Sequence, residues 1–153
     1  MVKNSREPIV AHRIWRFKNG NLISYFQDDI WIPGKIFEAY RCVNVDTGHS
    51  YCPTGIFSFK NSISAIYLDY LDKEFRFQHL SDVLSSDSLV ESIMLQELTI
   101  LGEVYQWGRI FEHENGYRSE FAYPKKFYIL ENTLEQKEIV KNLANLFGVE
   151  CDS

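Results

Sequence analysis

The residues best equipped for chemistry lie in one stretch, Trp107-Gly-Arg-Ile-Phe-Glu-His-Glu-Asn-Gly-Tyr-Arg-Ser-Glu-Phe-Ala-Tyr-Pro124, which interleaves Arg109, His113, Arg118 and Glu120 with Trp107, Phe111, Tyr117 and Tyr123. An arginine set between aromatic rings can stack on a ring face while meeting an anion, so the pattern suits a planar, negatively charged ligand. Trp107 and Phe111 are the stacking candidates, Arg109 and Arg118 the anion contacts, and Trp15 and Trp31 further walls. The same residues also admit a blander reading. They could form a core face whose arginine reaches outward along its stem and whose histidine is solvated at a hairpin end. Glu112, His113 and Glu114 bring an imidazole beside carboxylates, as acid–base hydrolysis requires, although a charged hairpin tip is commonly just solvated.

A second group, Cys42, His49 and Cys52, falls in and beside the turn-rich segment Asp46-Thr-Gly-His-Ser-Tyr-Cys-Pro-Thr-Gly55. Zinc needs four ligands, and Cys151 or His12 would have to complete the set; there is no CxxC pair. Cys52 with His49 is also the composition of a nucleophile and its base, but sequence proximity does not establish that geometry. Walker, GxGxxG, HExxH and GxSxG patterns are missing from the sequence. The expectation is therefore no metal, no cofactor and no assigned catalytic residue, with enzymatic activity the lesser alternative.

The chain has 153 residues, enough for one domain and a core that needs no staples. Hydrophobic residues at 45% and charged residues at 24% describe a globular protein rather than a disordered one. Aromatics reach 15%, which favours strands and flat binding surfaces. No apolar run is long enough to span a membrane, and Met1 to Pro8 lacks the apolar stretch of a secretory signal, so a cytoplasmic location is expected. A net charge of −5 disfavours nucleic acid as a partner. A local basic stripe joining Arg13, Arg16 and Lys18 to Arg118, Lys125 and Lys126 would be the exception.

These side chains must be positioned by the elements around them. Residues 1–8 read as a loose terminus and Ile9 to Phe17 as a strand, with Arg13, Trp15 and Phe17 alternating against Ile14 and Arg16. Lys18-Asn-Gly-Asn21 is a hairpin turn, Leu22 to Phe26 its return strand, and Pro33-Gly34 a further turn before a strand from Lys35 to Asn44. Asn61 or Ser62 caps a helix expected to reach about Leu71. Residues 72–95 read as an exposed insertion, and Leu98 to His113 as extended with a bulge near Gly102. Thr133-Leu-Glu-Gln136 has capping-box spacing, Leu134, Ile139, Val140, Leu143, Leu146 and Phe147 form a stripe, and Gly148 ends the helix.

Within the hairpin, loop length decides which side chains share a face. A loop of two or four residues puts Trp107, Arg109, Phe111 and His113 with Arg118, Glu120 and Ala122. A three-residue loop with Gly116 in a bulge puts them with Tyr117, Ser119, Phe121 and Tyr123, separating rings from charges better, and is the expected register.

The order of these features resembles a family of small uncharacterised bacterial and phage proteins that combine R-x-W-R, W-x-P-G and C-x-C-G-I-Y segments with a later G-E-V-x-x-W-G-R-V-x-E-H-x-x-G-Y-R-A-E-x-A-Y-P block. The corresponding residues are Arg13-Ile-Trp-Arg16, Trp31-Ile-Pro-Gly34, Cys52-Pro-Thr-Gly-Ile-Phe57 and Gly102 through His113 to Tyr123-Pro124. Thr54 stands where the family pattern has its second loop cysteine. The resemblance implies a bacterial or phage setting and no particular activity.

The sequence therefore predicts a single α+β domain: a bent antiparallel sheet or partly closed small barrel with the C-terminal helix packed on it. The function expected is a non-enzymatic module for a small planar anionic, nucleotide-like ligand, such as a sequestering protein in phage or bacterial defence. The ligand contacts would be Trp107, Arg109, Phe111, Arg118, Trp15 and Trp31. The alternatives are a protein-interaction or inhibitor module and a hydrolase built on His113 with Glu112 or on Cys52 with His49.

Overall fold

A computed structural model describes residues 2–27, 29–39, 55–83, 98–131 and 133–152. The described elements run β1 (Val2–Lys18), β2 (Asn21–Ser24), β3 (Ile30–Trp31), β4 (Phe37–Glu38), β5 (Ile56–Phe59), α1 (Ser62–Val83), β6 (Leu98–His113), β7 (Gly116–Tyr128), α2 (Leu134–Phe147) and β8 (Glu150–Asp152). The fold is α+β, as expected: among the described residues, one bent sheet carries two helices, the second of them C-terminal.

The long strands β1, β6 and β7 pair antiparallel in series, and β5 pairs with both β7 and β1, so hydrogen bonding returns on itself as a four-strand ring. The ring is closed unevenly. β5 meets β7 over four residue pairs but β1 at one, His12↔Phe59. β2 and β3 extend the sheet beyond β1, β4 adds to β7, and β8 joins β7 in parallel. Asn19 and Gly20 take φ of 52° and 79°, the left-handed pair of a tight hairpin, which is why β2 returns so directly along β1.

Two apolar clusters flank the sheet. Under α2, Trp15 meets Trp31 and Phe127 edge-on, each at 5.5 Å, and Phe127 meets Phe147 of the helix at 5.8 Å. Under α1, Ile14, Tyr25, Phe59, Ala65 and Leu101 form the second cluster. Inside the ring, the buried Gln106 donates to the Ile56 carbonyl at 2.8 Å and to Ser119 Oγ at 3.0 Å, and accepts from Ser58 Oγ. One side chain on β6 thus ties β5 to β7 and satisfies its own buried amide.

The N-cap half of the expected capping box is present, while the Gln136 side chain reaches past the cap to Glu131. Thr133 Oγ1 accepts from Gln136 N at 3.2 Å, Gln136 Oε1 accepts from Glu131 N, and Gly148 ends α2 at φ 69°. Replacing Thr133 by Ala is expected to lower stability by about 1 kcal/mol, read as a shift of the urea unfolding midpoint. Asn61 caps α1 through a 2.8 Å bond from Ser64 N.

Five expectations are corrected. Residues 2–8 are not loose, because β1 begins at Val2 and its first residues pair with Phe111 to Gly108; a register shift between Ser5 and Ile9 takes up Pro8, which cannot donate to the ladder. The first helix continues to Val83, so residues 72–83 belong to it rather than to an insertion; residues 84–95 lie outside the described residues. Leu134 and Leu146 of the α2 stripe are exposed, and Gln136 and Ala144 take buried places. The bulge near Gly102 lies on the partner strand, where Lys125 is the extra residue between Lys126↔Glu103 and Pro124↔Val104. The β6–β7 loop has two residues, not three, since His113 pairs with Gly116.

The three-residue register fails at the tip and holds farther down. Gly108, at φ +83°, and Arg109 together oppose Glu120, a bulge that shifts the ladder by one. Phe111 therefore sits opposite Arg118, whereas below the bulge Trp107 sits opposite Phe121 and Tyr105 opposite Tyr123. One hairpin carries both registers, each along part of its length.

Candidate functional site

The bulge splits the expected site. Trp107 is half-buried, stacks on Phe121 at 5.9 Å and borders a shallow depression of about 270 Å³ with Pro8, Tyr105 and Tyr123. Arg109 is exposed, its backbone N–H donating to Glu120 Oε1 at 3.2 Å. Trp15 and Trp31 are core residues; Trp31 stacks on Phe37 at 4.2 Å and donates its indole N–H to Ser24 Oγ at 2.9 Å. The α2 helix covers the neighbouring sheet through Phe147, whose carbonyl accepts from the Tyr123 hydroxyl at 2.8 Å. The grouping of Trp107, Arg109, Phe111, Trp15 and Trp31 as one ring-lined site is thus not formed; of the six expected contacts, Arg118 lines the larger cavity.

That cavity, about 790 Å³, lies between β1, β2, β5 and the tip of the β6–β7 hairpin. Its volume is that of a small-molecule site. Register explains its lining. Phe57 pairs with Arg118 across β5–β7, and the Phe57 ring stacks on His113 at 5.2 Å and 16° while the Arg118 guanidinium lies 5.8 Å from its centroid. Arg13 enters from β1, donating Nη1 to the Phe57 carbonyl and Nη2 to Ser24 Oγ at 3.3 Å, with its guanidinium 5.0 Å from the Trp31 ring. Three cationic or potentially cationic groups therefore gather around one phenylalanine.

Their hydrogen-bonding capacity is not used up. Arg13 Nε, His113 Nε2 and Arg118 Nη1 are buried and have no partner among the described residues. Burial lowers the Arg13 guanidinium to about 10, opposed by Asp29, so it is still charged at neutral pH. Its bonding partners are a carbonyl, a hydroxyl and ring faces. Asp29 balances part of the charge, and hydrogen bonds to a carbonyl and a hydroxyl rather than a carboxylate leave the guanidinium able to meet a further anion. On the facing wall, the Tyr25 hydroxyl bonds Asp69 and Asp72 at 2.8 and 2.9 Å; burial first, then those carboxylates, raises its ionisation far beyond the usual tyrosine range. Tyr25 presents a neutral ring to the cavity.

His113 titrates below its ordinary 6.5, chiefly through burial and then through the charges of Arg118 and Lys60. The folded state favours the neutral imidazole, so protonation opposes folding: stability is expected to fall as pH drops below 6.5 toward the depressed value. An anion beside His113 reverses the preference, and binding should strengthen as pH falls through the same window, with proton uptake. A ¹H–¹³C titration of the His113 ring, with and without ligand, measures both.

The His113–Glu112 hydrolase candidate is not assembled. Glu112 and His113 are successive on a strand and face opposite ways, and Lys60 holds the Glu112 carboxylate at 2.9 Å. Cys42, His49, Cys52 and Thr54 lie outside the described residues, and among the described residues no cluster of His, Cys, Asp and Glu could hold a metal ion. Cys151 is free and half-buried on β8. The basic stripe is broken, since Arg13 is buried and Lys126 pairs with Asp152 at 3.1 Å. Among the described residues no helix is long and apolar enough to cross a membrane.

Arg13 and Phe57 line this cavity but are not among the contacts expected from the sequence. The signal was an arginine in the same alternation as Trp15 and Phe17, a charge on a core-directed row. No protein-family model, curated protein or solved structure matches the chain.

Proposed function

We propose that the protein is a non-enzymatic binding module for a small planar anion of nucleotide type, and that its site is the β1–β2–β5 cavity at the hairpin tip. The observation that carries this reading is the set of buried donor atoms, Arg13 Nε, His113 Nε2 and Arg118 Nη1, left without a partner among the described residues near the Phe57 ring. An anionic oxygen group would satisfy those donors, and a flat ring would pack along Phe57 and Tyr25. Arg118 keeps the role expected of it, with Arg13 and Phe57 replacing Arg109 and Trp107. Such a site needs no chemistry to act, which suits a protein that sequesters a signal in a bacterial or phage setting.

The test is calorimetric titration with nucleoside mono-, di- and cyclic phosphates, the parent nucleosides and inorganic phosphate. Binding of at least one phosphorylated nucleoside, stronger than its nucleoside or phosphate alone and weakened by Phe57→Ala, is the expected result. Uniform absence of binding at millimolar ligand, or binding indifferent to Phe57→Ala and Arg118→Ala, would overturn it.

A further inference from the structure

The helix α1 is apolar on two sides. Toward the sheet it sends Ala65 and Leu68, and it is pinned there by Asp69, which accepts from Tyr25 and Thr99, and by Asp72, which accepts from Tyr25. The opposite side carries Ile63, Ile66, Tyr67, Tyr70 and Leu71, which are 45% to 77% exposed; Phe75, also exposed, follows Leu68 by two turns and lies on the flank. An amphipathic surface helix needs one apolar stripe, and a helix apolar on both sides is one that is covered on both.

We infer that this outer stripe is the interface of a homodimer in which two copies of α1 pack antiparallel about a two-fold axis. Three observations select a second copy as the occupant. The stripe is nearly palindromic along the helix: an axis between Leu68 and Asp69 sets Ile66 near Leu71, Tyr67 near Tyr70 and Ile63 near Glu74 of the other copy, the self-complementarity that an isologous contact demands. The five side chains present on the order of 600 Å², the share each partner contributes at the lower end of the standard interface range. The charges agree with the antiparallel sense alone. Glu74 lies within the stripe, and antiparallel packing brings it to the N-terminal turn of the other α1, the positive end of the helix dipole, whereas parallel packing would set it against its own copy. Asp69 and Asp72 are engaged with Tyr25, Lys73 and Arg76 and do not burden the interface. The inference does not depend on the ligand assigned to the cavity.

Sedimentation equilibrium of the full chain tests it. The wild type is expected at twice the chain mass, and Tyr67→Glu with Tyr70→Glu to weaken association by at least about 100-fold, because residues 67 and 70 oppose each other across the axis and like charges would be buried against one another. A separate Ile63→Cys, Glu74→Cys variant, oxidised and mapped by peptide mass spectrometry, should join residue 63 to residue 74 between copies. That second measurement holds whatever the glutamate variant does to folding. A monomeric wild type at high micromolar concentration overturns the proposal, as does a dimer indifferent to the glutamates. Cross-links of 63 to 63 or 74 to 74 overturn the antiparallel arrangement.

Discussion

Gly116→Ala is expected to destabilise the protein by about 3 kcal/mol or more, enough to lower the unfolding midpoint steeply in urea or on heating. A Cβ at residue 116 would lie 1.9 Å from the Ser58 carbonyl oxygen, inside contact with another strand's backbone. Backbone cannot rotate away as a side chain would, so either β5 or the hairpin tip must move. Moving β5 strains the four pairs that join it to β7 and displaces the Ser58 hydroxyl from Gln106, leaving buried polar groups short of partners. Gly102→Ala should behave alike, since its Cβ would meet the Lys126 carbonyl at 2.2 Å and the Trp15 ring at 3.0 Å. Gly148→Ala separates the causes. Nothing lies within 4 Å of its Cβ, and only its φ of +69° resists alanine, so about 1 kcal/mol is expected. Equal losses at 116 and 148 would mean that the close approach of β5 to the tip does not govern stability.

Arg118→Ala is expected to weaken binding of the phosphorylated ligand on the order of 100-fold, against less than about twofold for Arg109→Ala. A charge-assisted bond in a desolvated site contributes about 1.5–3 kcal/mol, and each 1.4 kcal/mol is tenfold in affinity. Arg109 is exposed beyond the Gly108 bulge, where solvent and salt screen its charge. The loss at residue 118 should fall mainly on the phosphorylated ligand and little on its nucleoside. Calorimetry at low and high salt reads both, and equal effects at 118 and 109 would return the site to the outer face of the hairpin.

Features that depend on neighbours in sequence were legible from the sequence. The Thr133 N-cap, the Gly148 cap, the Asn19-Gly20 turn and the Asn61 cap each need only a few adjacent residues, and each is in place. The α+β class and the C-terminal helix on a bent sheet followed from period and composition. The site was legible in its components more than in its assembly. Arginine and aromatic rings do meet, but the choice of which ones was set by a one-residue bulge at Gly108, whose effect on register no alternation pattern announces. Trp15 and Trp31 show the complementary error, since large rings suit a ligand wall and a core equally well and only the ring of strands decides between them. The length of α1 was underestimated for a related reason. Its second half is too mixed in polarity to read as amphipathic.

The uneven closure of the ring gives Arg13 a second meaning. β5 touches β1 at a single backbone pair, and the Arg13 guanidinium on the Phe57 carbonyl spans that same seam. The group that would hold the ligand is thus also the latch on the strand most easily parted from its neighbour. Occupancy of the cavity and opening of the seam must then be linked, each altering the free energy of the other by the same amount. Slowed amide exchange along β5 would register a bound ligand from within the backbone, without observing the ligand itself.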